Sequence, residues 1–193
     1  MKIIGLTGPT GAGKSSLNIV AEDFGLKVID CDVFARKAVE KGSEGLKALV
    51  IAFGEDILSP DGTLDRKIMA QKAFSTPENT EKMNKTLLPF VVRLVLNECK
   101  GQDVLMDAPT LIESGLKEKC FATIGVLADK KIRLERIMTR DNISYEKALA
   151  RVEAQPSDEF FIENSDYFIT NCGKEDEMNE KLFSILEKEE IRT

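Results

Sequence analysis

Ile3-Ile4-Gly5-Leu6-Thr7-Gly8-Pro9-Thr10-Gly11-Ala12-Gly13-Lys14-Ser15 is the stretch that decides the fold. Its first half, Ile3 to Leu6, is a short apolar run that reads as a buried strand. Its second half, Gly8 to Ser15, satisfies G-x-x-x-x-G-K-[ST] at every fixed position. The residue types follow from what a phosphate group demands. Backbone N–H groups must curl around anionic oxygens, and glycine supplies the positive φ and the close approach. Lys14 can reach the β- and γ-phosphates, and the Ser15 hydroxyl is a ligand for Mg²⁺. Ser15 to Phe24 then reads as an amphipathic helix, with Leu17, Ile19, Val20 and Phe24 as its apolar positions. Its N-terminal dipole end would face the phosphates. Gly11, Ala12, Gly13, Lys14, Ser15 and Ser16 are therefore the expected nucleotide-binding residues, with Lys14 also catalytic.

Outward from this loop, short apolar runs alternate with longer helical stretches, the pattern of βα units around a parallel sheet. Further strands are expected at Lys27–Ile29, Val104–Met106, Thr123–Leu127 and Tyr167–Ile169. Each ends at a polar or glycine-rich residue, where ligands bind in open α/β sheets. The expected fold is α/β of the P-loop NTPase type: three layers, a central parallel sheet of about five strands, a helical insert and a lid. All 193 residues form one such domain. Its core is expected at 1–58, 102–137 and 161–193, the insert at about 59–101 and the lid at about 138–160. Two signals punctuate the insert: the turn Ser59-Pro60-Asp61-Gly62, and Ser75-Thr76-Pro77-Glu78, a helix start with proline in its first turn. The insert either binds an acceptor or only covers the sheet.

Asp30 and Asp32 flank Cys31 at the end of the second strand. Two residues apart on an extended segment, their carboxylates would share a side. One could deprotonate an acceptor hydroxyl and one hold water around the metal. Asp32 is the preferred base, and Asp30 the preferred cap of the helix read at Val33–Val39. Asp107 closes the third strand where an acid near Mg²⁺ belongs, so Asp107 or Asp32 would assist Ser15, through water. Glu113 either touches the acceptor or only sits in a helix.

Arg133, Arg136 and Arg140 recur at helical spacing on one face. Arg151 and Gln155 share a second face after Ser144, which opens a capping-box pattern with Lys147 in the acid position. A hairpin carrying Arg140 and Arg151 would make a lid over the nucleotide; the competing reading is a solvated surface. Asn171-Cys172-Gly173 either meets the adenine edge or makes a turn.

Composition bounds the rest. The hydrophobic share of 42% and charged share of 31% are those of an ordinary globular chain. A net charge of −6 argues against sequence-independent binding to nucleic acid or anionic lipid. Cys31, Cys99, Cys120 and Cys172 are scattered, histidine is absent, and no zinc site is expected. No apolar run is long enough to span a membrane. The expectation is a cytoplasmic protein with reduced thiols, a monomer or weak homo-oligomer. The guanine signature N-K-x-D is missing, since Asn171-Cys172-Gly173-Lys174 does not match it, and Asp107-Ala108-Pro109-Thr110 does not match D-x-x-G. A GTP-dependent switch is thereby excluded.

Taken together, the motifs resemble the dephospho-CoA kinase family over nearly the whole chain. They run through I-G-L-T-G-x-x-G-x-G-K-S at Ile4–Ser15, V-I-D-x-D-x-x-A-R at Val28–Arg36 and F-G-x-x-I-L-x-x-D-G-x-L-D-R at Phe53–Arg66. D-x-P-x-L-x-E-S-G-L at Asp107–Leu116, R-x-x-x-R-D at Arg136–Asp141, A-x-x-R-x-x-x-Q at Ala148–Gln155 and D-Y-x-I-x-N-x-G at Asp166–Gly173 complete the set. The resemblance implies transfer of the ATP γ-phosphate to the ribose 3′-hydroxyl of dephospho-CoA, with Mg²⁺. It implies Asp32 as general base, Arg140 on the phosphates and Asn171 near adenine. Asp32, Arg36, Asp107, Glu113 and Arg151 are its acceptor-side candidates. The chain departs from the family pattern at Leu88-Pro89, where His-Pro is usual. It departs again at Pro109-Thr110-Leu111-Ile112-Glu113 for P-L-L-F-E, and in having no lysine soon after Gln155. The alternatives are a P-loop kinase for a nucleoside or nucleotide acceptor, and a catalytically weak nucleotide-binding protein.

Overall fold

The computed structural model describes residues 1–171 and 175–191. Every residue of β1 (Ile3–Thr7) is buried, because this strand lies in the middle of a five-stranded sheet. The others are β2 (Lys27–Asp30), β3 (Val104–Asp107), β4 (Ala122–Leu127) and β5 (Tyr167–Thr170), in the order β2-β3-β1-β4-β5. Pairing is parallel: Ile3 lies opposite Val104 and Ile4 opposite Ala122, while Ile124 lies opposite Tyr167. The chain builds β2 and β3 on one side of β1 and β4 and β5 on the other. The carboxyl end of β1 is thus the topological switch point, where α/β sheets bind ligands.

Alternation along β1 explains the layers. Ile4 and Leu6 join Leu17 and Ala21 of α1 (Lys14–Asp23) and Leu182 and Leu186 of α9 (Glu175–Lys188) in one core cluster. Gly5 faces the opposite side, where an added Cβ would lie 2.6 Å from Leu111 and 2.7 Å from the Cys120 sulfur. Cys31, Cys99 and Cys120 are reduced thiols, and burial pushes the Cys120 thiol up to about 12. Cys172 lies outside the described residues.

The chain divides into two compact units, 1–29 with 99–193, and 30–98. The second therefore begins at Asp30, earlier than the boundary near 59 that the sequence suggests. The reason is packing: α2 (Cys31–Lys37) and α3 (Glu44–Phe53) pack on the long α5 (Pro77–Glu98), as does α4 (Arg66–Ala73). Val39, Leu49, Ile57, Met69 and Ala73 form this unit's own core. Local signals set its helices. Ser43 caps α3 by accepting from Leu46 N at 3.1 Å, and Asp65 caps α4 through Lys67 N and Ile68 N. The Ser59–Gly62 turn closes with Gly62 N donating to Ser59 O at 2.8 Å, and Pro77 opens α5 as read from sequence. Among the described residues no helix is long and apolar enough to cross a membrane.

Candidate functional site

In the first unit the glycine-rich loop joins β1 to α1 and is seated by close backbone contacts. An added Cβ on Gly8, at φ +139°, would lie 2.2 Å from Val126 O, so the loop's start rests directly on β4. Gly13 caps α1 in the left-handed region, at φ 97° and ψ 26°. The Lys14 ammonium donates to Gly8 O at 2.8 Å, folded back across its own loop. Ser15 is exposed in the first turn of α1 and Ser16 half-buried.

Two arginines of α6 (Lys130–Asp141) hold this loop. Arg133, only 5% exposed, donates through Nε to Thr10 O at 3.1 Å, and its other nitrogens reach Gln155 and Asp158 at 3.3 Å. Desolvation lowers its pKa, opposed by the Asp158 carboxylate. Gln155 Oε1 also accepts from Thr10 N at 2.7 Å. Arg136 donates to Gly11 O at 3.1 Å and Ala12 O at 3.2 Å. The spacing that suggested a lid face thus places two of the three arginines on loop carbonyls.

Arg140 is the third, and it is exposed. Its Nε and a terminal nitrogen donate to the two oxygens of Asp141 at 2.8 and 2.9 Å, and Arg151 of α7 (Tyr145–Glu153) donates to the same carboxylate. Arg140 foremost, with Arg151, holds the Asp141 carboxyl down to about 2. α6 and α7 form a hairpin with its own small core of Leu134, Ile137, Ala148 and Val152, turning at Asn142 with φ 49°. Gln155 lies beyond the end of α7, so it does not share a helix face with Arg151 as the spacing suggested. Ser144 is the N-cap residue of α7, without a side-chain cap bond.

Asp107 ends β3, and its Oδ2 accepts from Asn18 of α1 at 2.6 Å. Asn18 has no distinctive sequence context, and only the fold brings it to Asp107. Glu113 is exposed on a turn, which removes the helix reading. Asn171 follows β5, buried at 4% exposure, and its amide bonds Ala12 O and Arg136 rather than projecting into solvent. Cys172 and Gly173, the rest of that sequence signal, lie outside the described residues.

In the second unit, Asp30 is the N-cap of α2 and accepts from Asp32 N at 2.8 Å. Asp32 is therefore in the first helical turn, and the two carboxylates are not an alternating pair on a strand. Asp32 and Arg36 are one helical turn apart and exposed. Both line a cleft of about 320 Å³ with Arg66, the first residue of α4. Its remaining wall is apolar, Met69, Phe74, Met83 and Leu87 among it. Arg66 closes one of the quoted motifs, but nothing in its spacing reveals that α4 brings it beside α2.

A family model for dephospho-CoA kinase matches residues 2–177. A dephospho-CoA kinase of Staphylococcus haemolyticus is 37% identical over 191 residues, 96% of this chain and 94% of that protein. One from Pseudoalteromonas translucida is 38% identical over 172 residues, 88% of this chain and 82% of that protein. Among solved structures, a Thermus thermophilus protein superposes with a TM-score of 0.82 at 30% identity, covering 97% of both chains. A shikimate kinase from Acinetobacter baumannii, at 15% identity and TM-score 0.58 over 100% of this chain and 96% of its own, shares the fold alone.

Proposed function

This chain belongs to the dephospho-CoA kinase family, and from that premise we propose that it transfers the γ-phosphoryl group of ATP to the ribose 3′-hydroxyl of dephospho-CoA, giving coenzyme A and ADP. One observation carries the reading furthest: a chain with this phosphate loop also has a helical unit whose cleft sets one carboxylate and two arginines against an apolar wall. That lining suits an acceptor that carries a pyrophosphate, a hydroxyl and a long, weakly polar arm. Arg36 and Arg66 take the pyrophosphate as charge-assisted forks, and Met69, Phe74, Met83 and Leu87 take the arm. Asp32 accepts the proton of the hydroxyl as its oxygen attacks phosphorus and the bond to ADP breaks. Glu113 is a further acceptor-side candidate.

On the nucleotide side, the loop amides from Gly11 to Ser16 and the start of α1 take the phosphates. Lys14 exchanges the Gly8 carbonyl for them. Arg140 and Arg151 exchange Asp141 for the equatorial oxygens as charge moves onto them. The residues present fit Mg²⁺. Among the described residues no group of three or more acidic, cysteine or histidine side chains would cage a metal. Mg²⁺ keeps several waters and takes one or two protein oxygens with the substrate phosphates. The Ser15 hydroxyl and the Asp107 carboxylate, or Asp32 through water, would hold it, and when bound it neutralises phosphate charge. We place the reaction in the cytoplasm, on small-molecule substrates, with the chain a monomer or weak homo-oligomer.

The test is ATP consumption with Mg²⁺ and dephospho-CoA, adenosine, AMP, CMP or pantetheine as acceptor. Phosphate appearing on the 3′-oxygen of dephospho-CoA, by mass and NMR, is the expected result. Transfer to a nucleoside or nucleotide instead, or ATP binding without transfer, overturns it.

A further inference from the structure

Asn171 and Arg136 bond to each other and to carbonyls of the phosphate loop. The Asn171 Nδ2 donates to Ala12 O at 2.9 Å, and its Oδ1 accepts from Arg136 at 2.9 Å. Arg136 in turn donates to Gly11 O and Ala12 O. The amide can satisfy both partners in one orientation only, since a carbonyl needs a donor and a guanidinium an acceptor. Its own backbone is fixed, because Asn171 N donates to Leu127 O at 2.7 Å at the end of β4. The fit against the loop is tight: a Cβ on Gly13 would lie 2.1 Å from Asn171 Nδ2 and 3.3 Å from Arg136.

A trans peptide points its C=O and N–H in opposite directions. Holding the Ala12 carbonyl on Asn171 and Arg136 therefore turns the Gly13 N–H the other way, toward the phosphates the loop would hold. Holding the Gly11 carbonyl likewise sets the Ala12 N–H, which donates to Pro9 O at 3.2 Å. We propose that Arg136 and Asn171 are positioning residues that fix the peptide planes of the phosphate loop, so that Asn171 governs affinity for the phosphates rather than recognition of the base. This rests on the reading of the loop as an ATP site, and not on the identity of the acceptor.

A base-free ligand separates the two roles. Asn171→Ala and the parent protein are titrated calorimetrically, with Mg²⁺ and without acceptor, against ATP, GTP and inorganic tripolyphosphate. The removed side chain is uncharged, so no long-range attraction for phosphate is lost with it. The expected result is a parallel loss, about tenfold for ATP and for tripolyphosphate, the scale of one buried hydrogen bond. The ATP-to-GTP ratio stays at the parent value. Weaker ATP with unchanged tripolyphosphate, or a changed ATP-to-GTP ratio, overturns the proposal. Should Asn171→Ala not fold, Arg136→Lys decides, since it keeps the charge and loses the fork. A parallel loss for both ligands supports the proposal, and unchanged tripolyphosphate affinity sinks it. A chain that binds ATP in this manner yet ignores dephospho-CoA would fail the proposed function and leave this inference standing.

Discussion

Gly13→Ala is a sharp perturbation of the loop, because its cost can be separated into two parts with a control from the same unit. Gly115 also occupies the left-handed region, at φ +73°, but nothing lies within 4 Å of a Cβ added there. Gly115→Ala should therefore cost only the backbone strain of alanine in that region, about 1–2 kcal/mol. At Gly13 the same strain applies, at φ +97°, and the new methyl would also lie 2.1 Å from Asn171 Nδ2. Asn171 must move, breaking its bonds to Ala12 O and Arg136, worth about 0.5–1.5 kcal/mol each. Gly13→Ala should then destabilise by about 2–5 kcal/mol, an excess over Gly115→Ala of about 1–3 kcal/mol. Urea denaturation of both variants measures this. Repeating Gly13→Ala in an Asn171→Ala background should remove the excess and leave the strain, since the colliding amide is gone. If Gly13→Ala costs no more than Gly115→Ala, the seat of Gly13 against Asn171 is not what the geometry says.

Asp32→Asn should lower kcat by about 10²–10⁴, the usual contribution of a general base, with the KM for ATP unchanged; near-normal turnover would reject Asp32 as the base. Arg66→Ala should raise the acceptor KM by about tenfold or more, the value of a charge-assisted hydrogen bond, and spare ATP. An unchanged acceptor KM would move the acceptor out of the α2–α4 cleft. The Asp141 carboxyl should titrate near about 2 by carbon NMR, and Arg140→Ala should return it toward the ordinary 3.8. Because its folded pKa is depressed, any stability from this pair is complete above the unfolded value near 3.9 and is lost as pH falls toward about 2. A midpoint that Arg140→Ala leaves in place would show that the bidentate pair does not form in solution.

The strands and the loop were legible because their signals are local. Ile3–Leu6 and Thr123–Leu127 are apolar runs flanked by turn residues, and the G-x-x-x-x-G-K-[ST] spacing fixes a backbone path over a few residues. Proline at Pro77 likewise marks the start of α5. What escaped the sequence depends on which elements meet. Arg133, Arg136 and Arg140 look equivalent at their helical spacing, yet the first two turn onto loop carbonyls and only the third stays exposed with Asp141. Nothing local distinguishes them, because the difference lies in how α6 is set against a loop more than a hundred residues earlier. The Asp30/Asp32 pair misled for a different reason. Extended geometry ends at Asp30, whose side chain itself starts the helix that removes Asp32 from the strand. The sequence puts the start of the helical insert at about residue 59, whereas the compact unit begins at Asp30, because α2 and α3 join it through packing on α5 that leaves no local signal.

The central place of β1 also constrains the order in which the protein can assemble on the ribosome. β1 is translated well before its two neighbours, which begin at Val104 and Ala122. At about 5–20 residues per second, the loop-bearing strand waits roughly 5–20 s for its first partner. Through that interval an apolar segment with no ladder to join is open to capture by other chains. Arresting translation once β3 but not β4 has emerged should leave Ile3–Thr7 open to protease, and release past β4 should protect it. A nucleotide added to the nascent chain should find its loop unformed until α6 and Asn171 have followed β4, so that completing the sheet around β1 is necessary for the binding site but does not by itself switch it on.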